Sequence, residues 1–170
     1  MRWPRSVRPC REYARCVIVL AGWFHIMGAD VRIHGSCVAR DGAGVLILGP
    51  SGAGKSDLAL RLLDRGFTLV ADDQVEISDG HARAPEALAG LLEVRGLGIV
   101  RLPYQSGVQL KLVIALTDRS ERLPHPEPHP DLELPMVRLR AASASAPDRV
   151  ALALDCALGR VTQYAGAFAA

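Results

Sequence analysis

Asparagine is absent from the 170 residues, and lysine occurs only at Lys55 and Lys111. Without asparagine there is no N-K-x-D element to read guanine, and a switch GTPase loses its support. An excess of one charge is lacking too. Twenty basic and 18 acidic residues leave a net charge of +2, which gives no global electrostatic case for nucleic acid or an anionic membrane. Any binding must be local. Cysteine is scarce, and Cys10, Cys16, Cys37 and Cys156 show no C-x-x-C spacing, so neither a zinc site nor a disulfide framework is indicated. They are expected to be reduced and structural. No apolar run reaches the roughly 20 residues a bilayer requires. The run from Cys16 to Met27, behind Arg2, Arg5, Arg8, Arg11 and Arg15, has a signal-like order but no clear small-residue cleavage site after it. Residues 1–30 are therefore expected to be a poorly ordered leader or a mis-assigned start with Met27 as the true beginning.

What remains reads as one domain, 31–165, with a hydrophobic share of 49% that suits a single packed core. Val31 to Val38 reads as a strand, Asp41-Gly42-Ala43-Gly44 as a turn, and Val45 to Leu48 as a short apolar strand. Lys55 to Arg65 carries apolar residues at 58, 59, 62 and 63, one face of a helix that Gly66 would stop. Further strands are predicted over Phe67 to Ala71, Gln74 to Ile77, His81 to Ala84, Leu91 to Val100, Val108 to Leu116 and Met136 to Leu139. Prolines at 124, 126, 128, 130 and 135 demand an extended loop, and Pro147 to Leu158 reads as a closing helix. Strands outnumber helices, so the fold class is α/β with a mixed sheet. The same prolines keep His125 and His129 from sharing a helix face, which argues against a metal site there.

Gly49-Pro50-Ser51-Gly52-Ala53-Gly54-Lys55-Ser56 fits G-x-x-x-x-G-K-[ST] in full, after an apolar strand and before a helical pattern. Glycines let backbone N–H groups turn inward around phosphates, and the helix start adds partial positive charge. Lys55 supplies a mobile ammonium for the β and γ phosphates. Ser56 supplies a hydroxyl to ligate Mg²⁺.

Asp72-Asp73 end the strand that follows the helix, where a carboxylate can hold Mg²⁺ or accept a proton. Neighbouring side chains on a strand point to opposite faces, so one of the two does the chemistry. His34 sits on the strand before the phosphate loop, where a lone histidine is more often structural than functional. Glu93 and Arg95 share one face of a strand by period two, offering an acid for Mg²⁺ and a cation for phosphate.

Ile33-His34-Gly35, Gly49 to Ser56, Leu69-Val70-Ala71-Asp72-Asp73 and Leu92-Glu93-Val94-Arg95-Gly96-Leu97-Gly98-Ile99, in this order, resemble the catalytic domain of bacterial HPr kinase/phosphorylase. The likeness runs from Val31 to Val100 and thins afterward. It implies a phosphate-loop kinase core similar to phosphoenolpyruvate carboxykinase. It also implies a cytoplasmic hexamer that uses ATP and Mg²⁺ to phosphorylate a serine of the phosphocarrier protein HPr, and reverses this by phosphorolysis. By position the resemblance makes Asp72 the base, with Lys55 and His34 as catalytic partners and Ser56 and Glu93 as Mg²⁺ ligands. Asp73 is the further candidate ligand. Glu121-Arg122-Leu123-Pro124 is the nearest counterpart of the family's Tyr-Asp-Arg-Leu-Gly stretch and makes Arg122 the implied catalytic arginine. Pro135 to Arg140 stands in for the loop associated with dephosphorylation. The family's regulatory domain has no counterpart in the short segment before Val31, so control is expected through subunit contacts or partners. The other readings are a kinase for a different acceptor and a non-catalytic ATP-binding regulator.

Overall fold

Two Asp-Gly steps fold the chain into tight hairpins. Asp41 and Gly42 (φ 53° and 75°) join β2 (Ser36–Arg40) to β3 (Ala43–Leu48), and Asp79 and Gly80 (φ 48° and 75°) join β5 (Gln74–Ser78) to β6 (His81–Arg83). Positive φ at both central residues is what a type I′ turn demands, and Asp-Gly supplies it at low cost. The first turn is shorter than the sequence predicts, since Ala43 and Gly44 already pair in β3.

The computed structural model describes residues 31–119 and 121–169, so the expected leader, with Cys10 and Cys16, lies outside the described residues. The other strands are β1 (Val31–His34), β4 (Thr68–Ala71), β7 (Leu91–Val94), β8 (Gly98–Arg101), β9 (Val108–Leu116) and β10 (Met136–Leu139). Eight of them form one sheet in the order β1-β5-β6-β9-β3-β2-β4, with β10 on β9. The pairs β3–β9 and β9–β10 are parallel and the rest antiparallel, the mixed sheet expected. Among the described residues no helix is long and apolar enough to cross a membrane.

Two predicted strands prove to be two each. Val31 to Val38 breaks at Gly35, and β1 pairs with β5 while β2 lies between β3 and β4. The joint between them is tight: a Cβ on Gly35 would lie 2.9 Å from the Ile47 carbonyl oxygen and 3.1 Å from Leu48 Cδ2. Leu91 to Val100 turns back on itself, with Val94 opposite Gly98, so β7 and β8 form a separate two-stranded sheet. Arg95 therefore stands in a turn and shares no strand face with Glu93.

Helix α1 (Lys55–Leu63) and helix α2 (Ala146–Ala157) cover one face of the large sheet. Strand alternation sends Val45 and Ile47 to that face, against Leu58, Leu62, Val150 and Leu154, and Leu46 to the other, beside Val70, Val75 and Val113. Leu58 and Leu62 are fully buried, and truncating either to alanine would cost about 2–5 kcal/mol. Helix α1 is thus held by its apolar face, and its first residue is the lysine of the phosphate loop. Arg40 ties α2 to the sheet, donating to Asp155 Oδ1 at 2.6 Å and lying over the Phe67 ring at 5.0 Å.

Candidate active site

The phosphate loop leaves the end of β3 and enters α1 at Gly54, whose φ of 91° is left-handed and suits glycine. A Cβ there would also press on Ala141 at 3.1 Å. Lys55 is 7% exposed, and its ammonium donates to the carbonyls of Gly49 and Pro50, each at 3.0 Å. Two of its three protons hold the loop's shape, and the third is free for a phosphate oxygen. The opposite rim, 141–144, is clamped by Arg61 of α1, which donates to the carbonyl oxygens of Ala141 (2.6 Å) and Ser143 (2.7 Å).

The loop opens on a cleft of about 480 Å³. Its walls include Ser51 to Ser56, His34, Asp72, Asp73, Glu93 and Arg95. Chain segments far apart in sequence thus bring most of the predicted site residues together. Gly49 and Pro50 accept from the Lys55 ammonium and do not line this cleft, and Arg122, exposed just before the proline-rich segment, does not line it either.

The two adjacent acids have opposite surroundings. Asp72 is 4% exposed. Its Oδ1 accepts from the Ser36 hydroxyl at 2.5 Å and the Ser56 hydroxyl at 2.9 Å, and its Oδ2 from the Glu93 backbone N–H at 3.3 Å. Asp73, its side chain 64% exposed, stands on the open side with a left-handed φ of 67°. Such a conformation is sparsely populated for a residue with a side chain and tends to concentrate at functional sites. His34 faces it: Nδ1 lies 2.8 Å from the Asp73 carbonyl oxygen and 3.3 Å from Oδ1. Nδ1 bears the proton for the carbonyl bond, so a neutral ring keeps Nε2 as an acceptor. The resemblance makes Asp72 the base; in the structure its Oδ1 accepts two hydroxyl bonds and its Oδ2 one backbone bond, whereas Asp73 on the same cleft carries the more exposed carboxylate of the two.

Oxygen donors suited to Mg²⁺ are at hand. Ser56 spends its single proton on Asp72, which leaves its lone pairs for a cation, and the Glu93 carboxylate lines the same cleft. Among the described residues no three His, Cys, Asp or Glu side chains converge into a closed cage. Magnesium characteristically takes one or two protein oxygens and completes its shell with phosphate and water. The residues present fit that ion.

Ser36 escaped the sequence reading. It is fully buried, and the available signal was a hydroxyl residue ahead of the apolar run Cys37 to Ala39, beside the His34-Gly35 step. Its neighbour Cys37 is also fully buried, and burial pushes that thiol well above its ordinary range, so it offers no nucleophile.

Residues 25–124 match the family described as HPr Serine kinase C-terminal domain. The chain is 44% identical over 92 residues to the HPr kinase/phosphorylase of Clostridium tetani, a match covering 52% of this chain and 30% of that protein. It is 42% identical over 117 residues to that of Bordetella pertussis, covering 58% and 37%. The chain thus spans about a third of the length of the curated relatives it matches. In fold it is similar to the Hpr(Ser) kinase/phosphatase of Coxiella burnetii, with a TM-score of 0.62 and 24% identity, over 76% of this chain and 92% of that one.

Proposed function

The chain belongs to the HPr serine kinase C-terminal domain family, and from that premise we propose that it uses ATP and Mg²⁺ to phosphorylate a serine of HPr or a related phosphocarrier. The observation that carries this reading is the pair of unlike acids at one end of a phosphate loop. Asp72 is bound to Ser56, and Asp73 stands open beside His34.

Phosphoryl transfer asks a protein chiefly for positioning and charge neutralisation. Loop N–H groups and Lys55 hold the phosphate chain. Ser56 and Glu93 would hold Mg²⁺, which when bound would supply positive charge against that building on the phosphate oxygens. The acceptor serine oxygen forms a bond to the γ phosphorus as the bond from that phosphorus to the bridging oxygen breaks, and ADP leaves. Asp73 takes the serine proton, and His34 holds the Asp73 backbone and faces its carboxylate. Arg95, which has no ion-pair partner among the described residues, is placed to approach a phosphate oxygen. In the reverse direction inorganic phosphate attacks the phosphoserine, pyrophosphate forms, and Asp73 returns the proton to the serine oxygen. The domain is 31–165, the assembly a homo-oligomer of hexameric form, and the compartment the cytoplasm.

Transfer of labelled phosphate from ATP to purified HPr tests the reading. Labelling of HPr that is lost in Asp73→Ala supports it. Labelling of other acceptors but not HPr would move the reading to a different kinase, and tight ATP binding with no transfer to any acceptor would leave a nucleotide-binding regulator.

A further inference from the structure

Asp72 is held by three donors, and two of them, the Ser56 hydroxyl and the Glu93 N–H, belong to residues that line the cleft. The third, Ser36, does not line it. Ser36 is 0% exposed at the start of β2, and its hydroxyl makes the shortest of the three bonds, 2.5 Å to Oδ1. Nothing in the phosphate-loop chemistry requires a hydroxyl there, and every other residue of β2 except Arg40 is apolar.

We propose that Ser36 is a positioning residue for the Mg²⁺ site, acting through Asp72. The inference rests on the reading of Ser56 and Glu93 as the magnesium ligands. A carboxylate oxygen has about two lone-pair directions. With Ser36 occupying one on Oδ1, the Ser56 hydroxyl takes the other. The carboxylate is thereby fixed in rotation, with Oδ2 turned to the Glu93 N–H. Donation from Ser56 into that fixed oxygen turns its own lone pairs outward, toward where a cation is to be held. Without the Ser36 hydroxyl the carboxylate keeps only the Ser56 and Glu93 donors, its rotation is less restrained, and the lone pair that Ser36 filled can draw the Ser56 proton out of line.

The experiment compares ADP binding by calorimetry with Mg²⁺ and with EDTA, for the full 170-residue chain and its variants. For the unaltered chain Mg²⁺ is expected to tighten binding by at least tenfold. In Ser36→Ala that gain is expected to shrink to within about twofold of none, while affinity in EDTA stays unchanged, because the phosphate loop is not touched. Ser36→Thr, which keeps the hydroxyl, is expected to retain most of the gain. A merely structural serine would weaken both affinities together or neither. Should Ser36→Ala fail to fold, Ser36→Cys carries the test, since its thiol is a weak donor of similar bulk and must lose most of the gain. Retention of the full Mg²⁺ gain by the variant that carries the test overturns the proposal. An unaltered chain that binds ADP equally with and without Mg²⁺ overturns the magnesium reading itself. Absence of ADP binding in both conditions overturns the phosphate-loop reading beneath it.

Discussion

Asp72 and Asp73 are the same residue one step apart, yet the inner and outer walls of the cleft make them different reagents. On the inner wall the carboxylate sees two hydroxyls and a backbone N–H, and almost no water. On the outer wall it sees an imidazole and solvent. Environment rather than residue type divides the labour, as it does wherever two carboxylates in one site take separate roles. The inner acid ties together the head of β2, the head of α1 and β7. The outer acid can be removed at the cost of its side chain's contact with His34.

That contrast can be broken most sharply from the outer side. Asp73→Ala is expected to lower transfer to HPr by about 10²–10⁴-fold, the usual weight of a general base, with melting temperature and ADP affinity near those of the parent. Equal loss of ADP affinity would show that the outer acid belongs to the nucleotide site. On the inner side, Asp72→Ala is expected to destabilise the fold by about 1–3 kcal/mol, since the buried Ser36 hydroxyl loses its partner. Thermal denaturation reads this directly, and a melting point equal to the parent's would mean that the carboxylate ties nothing. His34→Gln comes next. It is expected to cost transfer between about 10- and 10²-fold through misplacement of Asp73 while leaving ADP binding unchanged. The smallest effect belongs to a carboxylate outside the cleft. Arg83, and then Arg32, hold Glu76 below the usual carboxylate range. A depressed value contributes stability above the unfolded pKa and loses it as the pH falls through the folded one. The melting difference between the parent and Glu76→Gln should therefore be present at neutral pH and shrink once the pH drops below about 4.3, the ordinary glutamate value.

The phosphate loop was legible from the sequence because its chemistry is local: eight consecutive residues carry the motif, and a strand and a helix flank it. The Asp-Gly hairpins were legible for the same reason. The surroundings of the two acids were not. Period-two alternation says that neighbours part company, but which of them turns inward depends on Ser36 and Ser56, one 36 and the other 16 residues away. The breaks at Gly35 and after Val94 were missed because apolar residues recur on both sides of the glycines there, and such a pattern looks the same whether the chain continues or changes partner. Arg95 lost its expected face by the second of these, although it still reaches the cleft. Arg122 was placed by motif similarity alone, and its exposure at the start of the proline-rich segment is not something motif order encodes.

Gly35 joins the strand of His34 to the strand of Ser36, and its bare backbone rests against β3, which carries the phosphate loop; its N–H also reaches the Asp73 carbonyl at 3.2 Å. The gap between the donor and acceptor sides of the reaction is therefore gauged by main chain against main chain. For protein engineering this sets a boundary: side chains around the acceptor can be exchanged to recruit new hydroxyl substrates, but a methyl group at Gly35 would act as a wedge, and designed libraries should leave that position unvaried.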